Sequence, residues 1–316
     1  HIPGNTDGFA TARVEGEVRG LLVARSPATG AELWRRAGAA PQNFGWDLAT
    51  AGDHDGDGHG DLFVGAPAPE RGQIHLVSGR DGTIIRSYEL VEDAPSFGWT
   101  VARTDDLDGD GRADLAAGVP LEQDGDGAQI GGARLLSSRT GAVLYHWKGP
   151  DRLSGFGEVV AGVGDLDGDG RAEVAVGAPR STDRSRARPG DLWVYSGGTG
   201  ELLAHWSGAQ PGAYPGRMVV GAGDRDGDAV EALALGAPWR RGGRVLGEIV
   251  GDGAESWLGW HVRRAPDPAG LGRPALLIGS LRQPVNGRPG AGVLDLYVRS
   301  APLDSGQVAT PAVKER

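Results

Sequence analysis

One nine-residue loop occurs three times, and its chemistry constrains this chain more than any other feature. The copies are Asp53-His54-Asp55-Gly56-Asp57-Gly58-His59-Gly60-Asp61, Asp106-Leu107-Asp108-Gly109-Asp110-Gly111-Arg112-Ala113-Asp114 and Asp165-Leu166-Asp167-Gly168-Asp169-Gly170-Arg171-Ala172-Glu173. Each sets acids at loop positions 1, 3, 5 and 9. So many carboxylates in so short a span repel one another unless a hard cation lies among them. Calcium accepts about six to eight oxygens in flexible geometry. Alternate positions aim side chains inward, and the glycines between them permit tight winding.

The loop sits in a longer repeat. Phe44-Gly45, Phe97-Gly98 and Phe156-Gly157 precede it; Gly65-Ala66-Pro67, Gly118-Val119-Pro120 and Gly177-Ala178-Pro179 follow. Worn copies run from Pro215-Gly216 to Gly236-Ala237-Pro238 and from Leu258-Gly259 to Gly279-Ser280. The leading glycines are spaced by 53, 59, 59 and 43 residues, yet the first loop position always follows eight residues later. Fixed internal spacing with elastic connections marks one structural unit, and periods of this size point to a propeller or solenoid. Each unit reads as four strands, at 44–51, 61–66, 73–77 and 83–88 in the first full copy. Later third and fourth strands fall at 133–136 with 143–147, and at 191–195 with 202–206. No long stretch has helical periodicity. Four short antiparallel strands, repeated, make a β-propeller blade.

The Phe-Gly…Gly-Ala-Pro frame around Asp-x-Asp-x-Asp-Gly-x-x-Asp resembles the FG-GAP repeats of the integrin α-subunit propeller and its bacterial relatives, over about residues 44–300. The resemblance implies that the loop joins the first and second strands of a blade. It implies side-chain ligands Asp53, Asp55, Asp57 and Asp61; Asp106, Asp108, Asp110 and Asp114; and Asp165, Asp167, Asp169 and Glu173. Position 7 then offers a backbone carbonyl, from His59, Arg112 and Arg171. About three structural Ca2+ ions are expected. The fourth loop, starting at Asp224, has lost a glycine and its last acid, and the fifth, starting at Asp267, keeps glycines but loses the later acids; neither is expected to hold calcium well. Glu122-Gln123-Asp124-Gly125-Asp126-Gly127 is acidic too, and reads as either a further site or an exposed turn.

The expected fold is an all-β propeller, six blades of mainly four antiparallel strands, as a single domain over 1–316. Residues 1–43 form a partial first blade, with strands at 8–14, 19–23 and near 30–34. Repeats follow at 44–96, 97–155, 156–214, 215–257 and 258–300. The tail, 301–316, closes the ring by joining the two chain ends, or else adds the fourth strand of the last blade.

Charge supports the metal reading. Twelve of the 42 acids lie in the three loops, and the remainder nearly balances the 32 lysines and arginines. No basic track suits nucleic acid, and no apolar run approaches a membrane span. The start at His1 without a signal peptide fits a processed secreted protein, and abundant calcium fits an extracellular, cell-surface or periplasmic setting. The seven histidines form no metal pair, and no nucleophile elbow or phosphate loop occurs, so no enzyme activity is expected. The expected role is protein–protein interaction or adhesion, in a subunit of a larger extracellular assembly. The alternatives are a carbohydrate-binding, lectin-like propeller and the non-catalytic module of an enzyme or electron-transfer complex. Trp46, Trp99 and Trp260 each follow a leading glycine and read as packing between blades or an aromatic partner surface. Arg184, Arg186 and Arg188 lie in a long second-to-third-strand connection that is either a solvated loop or a docking edge. Trp147 and Trp206 read as rim packing, with His146 and His205 exposed beside them.

Overall fold

The computed structural model describes residues 10–14, 17–26, 28–39, 42–90, 94–180, 190–207, 217–223, 232–236, 258–265, 275–280 and 293–297. All regular structure among them is β. The chain divides into two compact units, His1–Gly162 and Val163–Arg316.

In the first unit, β1 (Ala10–Val14), β2 (Glu17–Arg25) and β3 (Glu32–Ala37) form a three-stranded sheet in that order. The second sheet runs β4 (Leu48–Gly52), β5 (Asp61–Ala66), β6 (Gln73–Val77), β7 (Ile84–Tyr88). The third has the same order with β8 (Val101–Arg103), β9 (Leu115–Val119), β10 (Gly132–Leu136) and β11 (Val143–Lys148). The sheet of β12 (Val159–Val163), a strand whose first four residues close the first unit, with β13 (Glu173–Ala178), β14 (Asp191–Tyr195) and β15 (Leu202–Ser207) of the second unit, repeats the pattern. Then β16 (Met218–Gly223) pairs with β17 (Ala232–Gly236), and β18 (Leu258–Ala265), β19 (Ala275–Ser280) and β20 (Val293–Tyr297) form a three-stranded sheet. Sequential neighbours paired antiparallel, four to a full sheet, are the blades of the expected all-β propeller class.

Burial explains the sequence pattern. Every residue of β5, β9 and β13 is buried, so these second strands read as continuous apolar runs rather than alternating ones. The fourth strands are edges. On β15 the exposure pattern alternates, and Leu202 and Leu203 remain open to solvent.

The repeat frame has a steric cause. A methyl group on Gly65 of β5 would lie 2.2 Å from the carbonyl oxygen of Gly98 in the next repeat, and one on Gly118 2.0 Å from that of Gly157. Gly98 and Gly157 themselves have φ of +83°, which L side chains rarely adopt. Neighbouring sheets therefore touch backbone to backbone at the Gly-Ala-Pro and Phe-Gly motifs. The adjoining phenylalanines plug the seam: Phe97 and Phe156 are fully buried and Phe44 nearly so. Phe97 joins Phe63, Leu115 and Leu136 in one core cluster.

The first strands start later than the expected 44–51. Gly45 at φ +82° turns the chain, and the Trp46 N–H donates to the Asn43 carbonyl at 3.1 Å. The strand begins only at Leu48. In the first blade the expected strands at 8–14, 19–23 and 30–34 correspond to β1, β2 and β3. The 301–316 tail and the acid-bearing parts of the fourth and fifth loops lie outside the described residues.

Candidate metal centres

Each loop leaves the C-terminal end of a first strand and returns through a second strand, β4 to β5, β8 to β9 and β12 to β13. The three are wound by the same bonds. Asp53 accepts from the N–H groups of Gly56 (2.7 Å) and Gly58 (3.0 Å). Asp106 accepts likewise from Gly109 and Gly111, both at 2.7 Å, and Asp165 from Gly168 (2.6 Å) and Gly170 (2.8 Å). Position 3 accepts from the position-5 N–H at 3.1 Å in every loop. Position 5 accepts from position 7 at 2.8 Å in every loop. The six glycines at positions 4 and 6 have φ between +79° and +86°.

This winding gathers carboxylates. One oxygen from each of Asp165, Asp167, Asp169 and Glu173 falls within 4.8 Å of the others. The same holds for Asp53, Asp55 and Asp57, and for Asp106, Asp108 and Asp114. Asp61 stands outside its group, its oxygens accepting from His54 N–H at 2.7 Å and Gly79 N–H at 3.1 Å. Asp110 also stands outside, with one oxygen on Arg112 N–H at 2.8 Å.

Two oxygens test whether a cation fits. Glu173 is fully buried and its Oε1 has no hydrogen-bond partner; the Asp110 Oδ2 is buried and lacks one as well. Buried acceptors without donors are costly. Hard oxygen donors crowded in this way suit calcium. The electrostatics agree. Burial pushes Glu173 up to about 7, against the Leu166 N–H bond and with the charges of Asp167, Asp165 and Asp169 adding to it. Burial pushes Asp114 up to about 6, opposed by N–H donors of Leu107 and Ser138 and reinforced by Asp108 and Asp110. Burial raises Asp61 as well. Desolvation also pulls Asp53 up, but the Gly58, Gly56 and Asp57 donors and the Arg112 charge outweigh it and leave it below the usual carboxylate value.

The acidic 122–127 stretch is a turn. Glu122 points inward to Arg134 Nη1 (2.7 Å) and His146 Nε2 (2.8 Å). Asp124 accepts from the N–H groups of Asp126 (3.0 Å) and Ala128 (2.8 Å). Sequence reasoning missed the buried pair because Arg134 lies on a different element. His146 and His205 are exposed, but both are bonded: His205 Nε2 lies 2.9 Å from Asp191 and its ring stacks on Trp193 at 4.7 Å. Trp147 is buried and stacks on Tyr145.

Trp46 and Trp99 meet, with ring centroids 4.7 Å apart and planes at 49°. Trp46 remains 46% exposed. The Trp260 side chain lies outside the described residues, as do Arg184, Arg186 and Arg188.

Comparison with known proteins matches the FG-GAP repeat at residues 44–77, 97–130 and 156–195. Integrin alpha-5 of Xenopus laevis is 28% identical over 214 residues, covering 61% of this chain and 20% of that protein. Integrin alpha-V of Gallus gallus is 29% identical over 210 residues, with the same coverage. The chain thus spans about a fifth of the length of these relatives. The solved structure of Saccharomyces cerevisiae Sqt1 aligns over 71% of this chain and 54% of its own with a TM-score of 0.46 and 11% identity.

Proposed function

Proceeding from a chain that carries FG-GAP repeats and resembles integrin α-subunits, we propose a calcium-binding propeller that works by protein–protein interaction or adhesion outside the cytoplasm. The reading takes 1–316 as one six-bladed domain closed by its ends, and assigns one structural calcium to each of the three loops. The observation that carries it is the gathered carboxylates of the 165–173 loop around the orphaned, buried Glu173 Oε1. Position 1, 3, 5 and 9 acids and the position-7 carbonyls of His59, Arg112 and Arg171 would hold the ions. A bound calcium supplies positive charge and ties first strand to second. The remaining work is done by this chain's own residues, which aim the oxygens through backbone donors and shield position 9 from water.

The partner surface is proposed at the other end of the blades. Trp46 precedes β4 and the 53–61 loop follows it, so the pair of exposed Trp46 and half-buried Trp99 lies a strand's length from the proposed metal site. Arg184, Arg186 and Arg188, in the stretch of sequence between β13 and β14, are proposed as further partner contacts. Calorimetric titration of the metal-free protein should give three calcium equivalents, and absence of calcium binding would overturn the reading. Recovery of the protein with its native complex, before and after Trp46→Ala, tests the surface.

A further inference from the structure

Two bridges join the 53–61 and 106–114 loops, and both start at positions that would serve an ion. Arg112 holds position 7 of one loop, and its guanidinium Nη1 donates to the carbonyl of Asp53, position 1 of the other. Asp114, at position 9, accepts from the Ser138 N–H at 3.1 Å. The Ser138 Oγ lies 2.8 Å from Nε2 of His54, position 2 of the other loop. Ser138 is 1% exposed, and its carbonyl accepts from the Tyr88 hydroxyl at 2.6 Å. It has little freedom to relax independently of either loop.

We propose that these two loops are a coupled pair: filling the 106–114 loop tightens the 53–61 loop, with Arg112, Ser138 and His54 as positioning residues. This rests on the calcium reading above. An ion drawing on positions 7 and 9 of one loop orders the backbone of Arg112 and the carboxylate of Asp114. Their partners then hold positions 1 and 2 of the neighbour, so the second ion bears less of the ordering cost. The Arg112 charge acts on Asp53 whether or not its own loop is filled, so it largely cancels from the coupling. Repulsion between the ions opposes the effect and is screened at physiological salt. Coupling of this kind is reciprocal, and sizeable cases reach about fivefold or more.

The test uses the full chain carrying Asp167→Ala, which disables the third loop and leaves the pair. Calcium titration by calorimetry in 0.15 M salt should show the second equivalent binding about fivefold more tightly than independent equal sites allow. Adding Arg112→Ala should bring that ratio toward one, Ser138→Ala should lower it, and Arg112→Lys should restore part of it. Circular dichroism establishes that each variant is folded. If Arg112→Ala does not fold, Asp108→Ala in the same background reads the coupling without touching a bridge, since it should weaken the remaining 53–61 site by the same factor. Two equivalents that fill independently overturn the coupling and leave the calcium reading standing. Cooperativity that survives loss of both bridges also overturns it. A chain that takes up no calcium overturns both.

Discussion

The 106–114 loop and the 121–131 connection belong to one sheet, are both rich in acids and glycines, and have opposite fates. In the first, Gly109 and Gly111 at φ +82° and +86° coil the chain until Asp106, Asp108 and Asp114 converge. In the second, Gly127 is at φ +77° but Gly125 is not in the left-handed region, and the acids disperse. Glu122 turns into the protein toward Arg134, and Asp124 caps its own turn. Acids make up four of nine residues in the first and three of eleven in the second, so number alone does not explain the contrast. What differs is whether the backbone closes on a point and whether a cationic side chain waits inside.

The largest expected effect separates the two directly. An ion that binds only the folded chain adds about 2.7 kcal/mol per site at hundredfold excess over its dissociation constant. Chelation should therefore lower the melting temperature substantially, with three loops contributing. Asp108→Ala should remove one calcium equivalent and part of that difference, whereas Asp126→Ala should change neither. A chelator with no effect at low salt would break the contrast at its root.

Next in size is the buried pair. Arg134 is 1% exposed and Glu122 7%. Arg134→Met takes the buried cation away from the Glu122 charge and leaves it the exposed His146, and loss of one member of a buried pair costs about 3–5 kcal/mol. Urea unfolding in calcium should show that loss while titration still finds the wild-type number of ions. A change below about 1 kcal/mol would mean that Glu122 is held by solvent and His146 rather than by Arg134.

Most of the winding of the three acidic loops was legible in the sequence because their geometry is local. Positions 1 to 9 wind on their own backbone, and the glycines and acids that do it are contiguous in sequence. The second strands were legible for a related reason, since burial on both faces leaves an unbroken apolar run. What escaped is what spans repeats. The Gly65 contact with Gly98 and the His54 contact with Ser138, 84 residues away, have no local signature. Glu122 escaped because its partners sit on β10 and β11. The late start of β4 escaped because Gly45 could serve a strand or a turn; it takes the turn, at φ +82° with its N–H on the Gly65 carbonyl at 2.9 Å.

A glycine pair sharpens the comparison at smaller scale. Gly111→Ala forces a side chain into φ +86°, at about 1–2 kcal/mol, and should weaken calcium at that loop. A Cβ on Gly125 meets nothing within 4 Å and needs no unusual φ, so Gly125→Ala should be near neutral. Paired melting curves with and without calcium distinguish them; equal losses would show that the winding is not what sets the 106–114 loop apart.

The smallest effect concerns protons. Burial alone would raise Glu122, but the hydrogen bonds from His146 and Arg134 and their charges outweigh it and hold its carboxyl below the ordinary value of 4.5. The unfolded chain therefore takes up this proton more readily than the folded one. The stabilisation from Glu122 is fully present above the unfolded pKa and fades as pH falls through the folded one. Glu122→Gln keeps an acceptor for one of the two partners, which lie on different carboxylate oxygens, and cannot ionise. In chelator, which removes the metal from the comparison, wild type should melt above this variant near neutral pH, and the gap should narrow as the buffer is taken below pH ~4. The burial-raised carboxyls of Asp114 and Glu173 titrate in the opposite sense, and they cancel between the two proteins. A gap that stays constant down to the acid limit would show that the ionised carboxyl is not what anchors the 121–131 connection.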